Sequence, residues 1–177
     1  MMAARQLLKQ DGAAAVTLQS VAARIGRTHA NLLHHFGSAA GLQRALAEDI
    51  ALTVSASIEG AIEQRRRGEA TEQDVVDAMF DAFRREGAGE LIGWIALTRQ
   101  REALEPVIAT IERIIRTMRV AGDTRPVERM TLGLTLLAIG DSLAGEEIAR
   151  ACGQSRETVR EIAAVQIEAL AGEALRV

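Results

Sequence analysis

Apolar residues recur at three- and four-residue intervals along nearly the whole chain, and no segment alternates with a period of two. That periodicity predicts helices and no strands. The pattern is sharpest between residues 17 and 42. Leu18, Val21, Ala22 and Ile25 share one helical face, while Gln19, Ser20 and Arg24 point elsewhere. Thr17 is a suitable N-cap, because its hydroxyl can accept an orphan backbone N–H. Gly26 stands where a helix stop needs a positive φ. Thr28 is a second N-cap, and Leu32 and Phe36, one turn apart, pack a short second helix against the first. Gly37 ends that helix and Ser38 can cap the next. The small Ala22 lets the two helices approach closely.

Beyond this segment the pattern stays helical. A long helix is predicted from Ser38 to about Arg67, with Ile50, Val54, Ile58 and Ile62 as its apolar stripe. The run Arg65, Arg66, Arg67 before Gly68 suits a helix C-terminus. Thr71 and Asp74 form a capping-box pattern that opens a helix to about Arg85, and Gly87 and Gly89 are read as its break. A short helix is expected around Leu91 to Leu97. Pro106 suits the first turn of another, to about Met118. Pro126 opens a helix to about Leu143, and Ser155 caps a last one to about Leu175. The fold class is therefore all-α: a three-helix head over residues 1–46, joined by the long helix to a helical body over residues 47–177.

The last two helices carry more apolar surface than one core needs. Val127, Met130, Leu134 and Leu137 lie on one face, and Leu132, Leu136, Ile139 and Leu143 on another. A helix apolar on two faces must be covered on two sides. The final helix offers Val159, Ile162, Ala163, Gln166, Ile167, Leu170 and Ala174. Two such helices from each of two chains make a four-helix bundle and a two-fold homodimer. The alternative is a core closed within one chain.

Charge and chemistry refine this picture. The whole chain carries −3 over 177 residues. Residues 1–50 hold Arg5, Lys9, Arg24, Arg27 and Arg44 against Asp11, Glu48 and Asp49, a balance of +2 that leaves −5 for the rest. A mildly basic head on an acidic body fits nucleic-acid contact at one end. All three histidines, His29, His34 and His35, fall on the second helix of the tight pair, beside Asn31 and just after Arg27. Asparagine can pair with adenine through two hydrogen bonds, and histidine can meet a base edge or phosphate. A helix N-terminus also attracts phosphate. Adjacent His34 and His35 do not share a face, and no cysteine or carboxylate cluster accompanies them, so no metal site is expected.

Cys152 is the single cysteine, which excludes an internal disulfide and suits a reducing cytoplasm. The longest apolar run, Met130 to Gly140, stops at Asp141 and is too short to span a bilayer. No signal peptide is visible. Residues 140–143 read Gly-Asp-Ser-Leu, which resembles the signature of GDSL-type esterases with Ser142 as nucleophile. That reading fails, because the serine ends a helical run and every histidine lies far upstream, leaving no base to activate it. No phosphate-binding loop, HExxH or GxSxG pattern occurs. No catalytic residue and no cofactor is expected.

Taken together, Gly12, Thr17, Val21, Ala22, Ile25, Gly26, Leu32, His35, Phe36, Ser38 and Leu42 resemble the DNA-binding helix-turn-helix domain of the TetR (tetracycline-repressor) family of transcriptional regulators. The likeness covers about the first fifty residues; the remainder is similar only in general plan. It implies a regulator, most often a repressor, that binds a palindromic operator in double-stranded DNA as a homodimer and releases it when a small-molecule effector binds the body. On this likeness Thr17 and Thr28 hold phosphates. Gln19, His29, Asn31 and His34 meet bases or nearby backbone, His35 lies near the backbone, and Arg27 joins them from the turn. The effector region falls around Met79, Phe83, Trp94, Arg99, Met130 and Leu134; the apolar members fit plain core equally well.

Three departures stand out. Leu33 occupies the usual position of a tyrosine, Ala39 that of a lysine, and no basic arm precedes the first helix. Each removes a phosphate contact, so weak or strongly salt-dependent DNA binding is expected. The alternative is a helical dimer that binds a ligand or protein and no longer binds DNA.

Overall fold

Nine α-helices and no strand form among the described residues, 1–120 and 124–174, of the computed structural model. The head contains α1 (Met2–Asp11), α2 (Leu18–Arg24) and α3 (His29–Phe36). The long α4 (Ala39–Arg66) leads into α5 (Glu72–Glu86), α6 (Ala88–Leu97), α7 (Glu105–Val120), α8 (Val127–Ala151) and α9 (Thr158–Ala174). Short 3-10 turns at Ala13–Ala15 and Arg101–Leu104 complete the chain path.

Four of the expected caps close their helices. The Thr17 hydroxyl accepts the Ser20 backbone N–H at 3.1 Å, the Thr28 hydroxyl that of Asn31 at 3.3 Å, and the Ser38 hydroxyl that of Gly41 at 3.0 Å. Thr71 and Asp74 cap α5 reciprocally, and the hydrogen bonds from Thr71 hold the Asp74 carboxyl below its ordinary range. Gly26 follows α2 with φ +65°, the left-handed conformation that a side chain disfavours.

Three boundaries differ from the sequence reading. Gly87, at φ +72°, ends α5 and starts α6 directly, so α6 begins at Ala88 rather than near Leu91. Gly89 is not a breaker. It lies inside α6, where a Cβ would collide with Ser142 of α8. The helix opened by Pro126 does not end at Leu143. It kinks at Ala144 (φ −149°, ψ 16°) and continues to Ala151. Next to the kink, the buried Asp141 carboxylate accepts from Arg156 at 2.8 and 3.0 Å. The last helix begins at Thr158 rather than at Ser155; its expected end, Leu175, lies outside the described residues.

One continuous core runs through head and body. In the head, Leu8 of α1, Val21 and Ala22 of α2, and Leu32 of α3 pack on Leu42 and Leu46 of α4. The α4 stripe then passes into the body through Ile50, Val54 and Ile58. Phe80, Leu91 and Ile95 are fully buried there. Ile25, expected on the apolar face of α2, follows that helix and is 49% exposed, and Leu97, at the end of α6, is 84% exposed. Arg5 of α1 fastens the head by bonding Asp49 of α4 and Glu86 at the end of α5, and the Glu90 carboxylate of α6 accepts from the Ala13 backbone N–H at 2.8 Å.

The two faces of α8 separate except at Ile139, which the sequence pattern puts on the outer face and which packs against the core instead. Val127, Met130 and Ala138 are buried, whereas Leu132, Leu136 and Leu143 are more than half exposed. On α9, Ala163, Ala164 and Ile167 face inward while Ile162 and Val165 face out. Arg160 ties α9 to α5. Its guanidinium, almost fully buried, donates to Asp81 at 2.7 Å and Asp77 at 3.2 Å and lies 5.6 Å from the centre of the Phe80 ring.

Candidate nucleic-acid interface and interior cavity

The sequence makes α3 short and sparingly anchored, and that is what exposes it. Gly26 and Thr28 set its start, Gly37 at φ +73° sets its end, and Leu32 is its one buried residue, with Phe36 half-buried behind it. His29, Asn31, His34 and His35 are all exposed on the remaining surface. Thr17, Gln19, Arg27 and Thr28 are exposed beside them, at the starts of α2 and α3 and in the turn between. All eight candidate DNA-contacting residues therefore belong to one two-helix surface. The His35 and Phe36 rings meet edge to face, with centroids 4.5 Å apart, which fixes the orientation of His35.

The electrostatics of this surface are sparse. Arg27 makes no ion pair among the described residues, whereas Arg24 is engaged by Gln10 and Asp11 and Arg44 by Glu105. Leu33 is 43% exposed on the same helix. Backbone N–H groups at the start of α3 and the caps Thr17 and Thr28 supply the remaining donors suited to phosphate.

The body holds a partly open cavity of about 100 Å³ lined by α4, α5, α6, α7 and α8, with Ile167 of α9. Four of the six candidate effector residues line it: Met79 and Phe83 from α5, Met130 and Leu134 from α8. The other two do not. Trp94 packs against the core and does not line the cavity, and its buried indole N–H has no partner among the described residues. Arg99 follows α6 on the surface at φ +58°. The wall that sequence reasoning missed comes from Ile50, Val54, Ile58 and Ile62 of α4 and from Ile111 and Ile114 of α7. The signal was there, as four-residue apolar spacing, but identical spacing marks an ordinary core stripe. At one end of the cavity Arg65 and Arg125 both donate to the same oxygen of Glu72, the latter at 2.9 Å.

Ser142 has no role at either place. Its hydroxyl donates to the Ala138 carbonyl one turn back in α8, at 2.8 Å.

Residues 1–46 match the family model for bacterial regulatory proteins of the tetR family. No curated protein matches the chain. Two solved structures share its fold over nearly its whole length. One is a protein of unknown function from Rhodococcus sp. RHA1, 23% identical, covering 95% of this chain and 91% of that one with a TM-score of 0.61. The other is a candidate tetR family transcription regulator from Shewanella sp. PV-4, 16% identical, covering 96% and 95% with a TM-score of 0.57.

Proposed function

We propose that this chain, which belongs to the tetR family of bacterial regulatory proteins through its N-terminal domain, is a cytoplasmic, ligand-responsive repressor that binds a palindromic operator as a homodimer. The observation that carries the reading is the surface of α3: a capped, short helix whose polar residues are all exposed while a single leucine anchors it. Asn31 and His29 lie in the first turn, the part of a recognition helix that enters the major groove. The outward strip of Leu132, Leu136 and Leu143 on α8, with Ile162 and Val165 on α9, supports pairing of two chains. Two paired heads present two recognition helices to successive half-sites. The cavity supports an effector, since its walls include α4, which continues into the head, and α5 and α6, whose junction holds Arg5 and Ala13. An effector acts by binding one arrangement of these helices better than another.

Selection of bound duplexes from a random library tests this directly. The intact chain is expected to enrich a palindrome, and the Asn31→Ala, His29→Ala variant to lose it. No enrichment at low salt would refute DNA reading. A second reading, a ligand- or protein-binding dimer without DNA, is favoured by one observation: α3 bears no lysine or arginine and exposes Leu33.

A further inference from the structure

We infer that the cavity in the body selects an uncharged, apolar compound of about one ring, such as an alkylbenzene or a monocyclic terpene; this inference rests on the effector reading above.

Size sets the first limit. Room for one water is roughly 10–15 Å³ on the scale appropriate to such cavities. About 100 Å³ therefore takes a compact molecule of on the order of ten non-hydrogen atoms.

Charge sets the second. Ionisable side chains reach the cavity only at one end, and there each has a partner within the chain: Arg65 and Arg125 converge on Glu72. A ligand ammonium meets two arginines against one carboxylate, and a ligand carboxylate has to compete with Glu72, whose oxygen already accepts from both. Either ion also loses its water on entry, a large cost when the charges it meets are already engaged with one another. Elsewhere the walls are aliphatic, with Phe83 as the aromatic member. The uncharged polar groups are Ser55, Thr110, Thr131 and Thr135. Ser55 is occupied, accepting from Arg113 and donating to the Leu52 carbonyl. The threonines leave room for one hydroxyl or carbonyl on the ligand, not for an ion.

The test uses three probes with one ring and different charge: toluene, benzoate and benzylammonium. Melting of the full chain is followed by circular dichroism as each is titrated. Toluene at a hundredfold excess over its Kd is expected to raise Tm by about 5–10 °C, and the two ions to shift it by less than a tenth of that. Benzoate or benzylammonium binding within tenfold of toluene overturns the inference, as does no shift by any of the three. Val54→Phe and Leu134→Phe narrow the cavity from different helices. Either variant with a cooperative melt is expected to lose the toluene response, and retention in both refutes binding at this place. Operator occupancy is measured separately. A toluene complex that keeps its DNA would refute the effector role and leave the ligand class standing; an ion that binds and releases DNA would do the reverse.

Discussion

Replacing Arg160 with methionine isolates the clamp between α9, at the proposed dimer surface, and α5, which lines the cavity. Methionine keeps the apolar stem and removes the charge. The guanidinium is buried and its best partner is Asp81, 25% exposed, at 2.7 Å. A hydrogen bond between charged groups in such a place contributes about 1.5–3 kcal/mol. Asp77 and Glu157 are 43% and 63% exposed, so water screens them and they add little. The Phe80 ring face contributes roughly 0.5–1 kcal/mol more. The desolvation cost of the arginine is recovered on substitution, leaving a net loss of about 2 kcal/mol. For a chain of this size that lowers Tm by roughly 4–8 °C.

The same clamp has a pH signature. Burial by itself pushes the Asp81 carboxyl up, but the hydrogen bond and charge of Arg160, with Arg85 and Arg84, outweigh it and hold the group below its ordinary value. A carboxyl with a depressed folded-state pKa stabilises the fold above its unfolded value, about 3.9. That contribution disappears as pH falls through the folded value. The deficit of the variant is therefore largest near neutrality and shrinks below about pH 4. Urea unfolding at fixed protein concentration, at neutral and acid pH, measures both quantities. A variant within about 0.5 kcal/mol of the parent at pH 7, or one whose deficit grows on acidification, would refute the reasoning.

Two further substitutions test the packing of the head and the proposed interface. Gly87→Ala forces a side chain into φ +72° with its Cβ 2.9 Å from a Leu8 methyl; the expected cost is about 1–3 kcal/mol by urea unfolding, and a neutral result would show that this junction does not bear on the head. Leu136→Glu puts a charge into the exposed apolar strip of α8, 60% exposed in the single chain; sedimentation should show monomers while the far-ultraviolet helical signal persists, and an unchanged oligomeric state would exclude that strip from the interface.

The comparison of sequence and structure turns on where local physics decides. Thr17, Thr28, Ser38 and Thr71 were legible as caps because a cap is satisfied by a backbone N–H three residues away. Gly26 and Gly37 were legible as stops because a positive φ is a local demand. The exposed residues of α3 followed from the same short-range signals, since Leu32 and Phe36 leave the other positions facing outward. The all-α class and the two apolar faces of α8 likewise come from periodicity alone.

Tertiary structure decided what depends on residues distant along the chain. Gly89 looks like a breaker beside Gly87, yet it lies within α6, and Ser142 of α8 occupies the space a Cβ there would need. Trp94 and Arg99 share the chain neighbourhood of the cavity and lie off it, while Arg65, Glu72 and Arg125, from three separate segments, converge at its end. A helix's apolar stripe is written in its own sequence, but whether that stripe meets another stripe or an empty space depends on how six helices cross. Side-chain volume and the direction of crossing determine that, and neither is a property of any one segment.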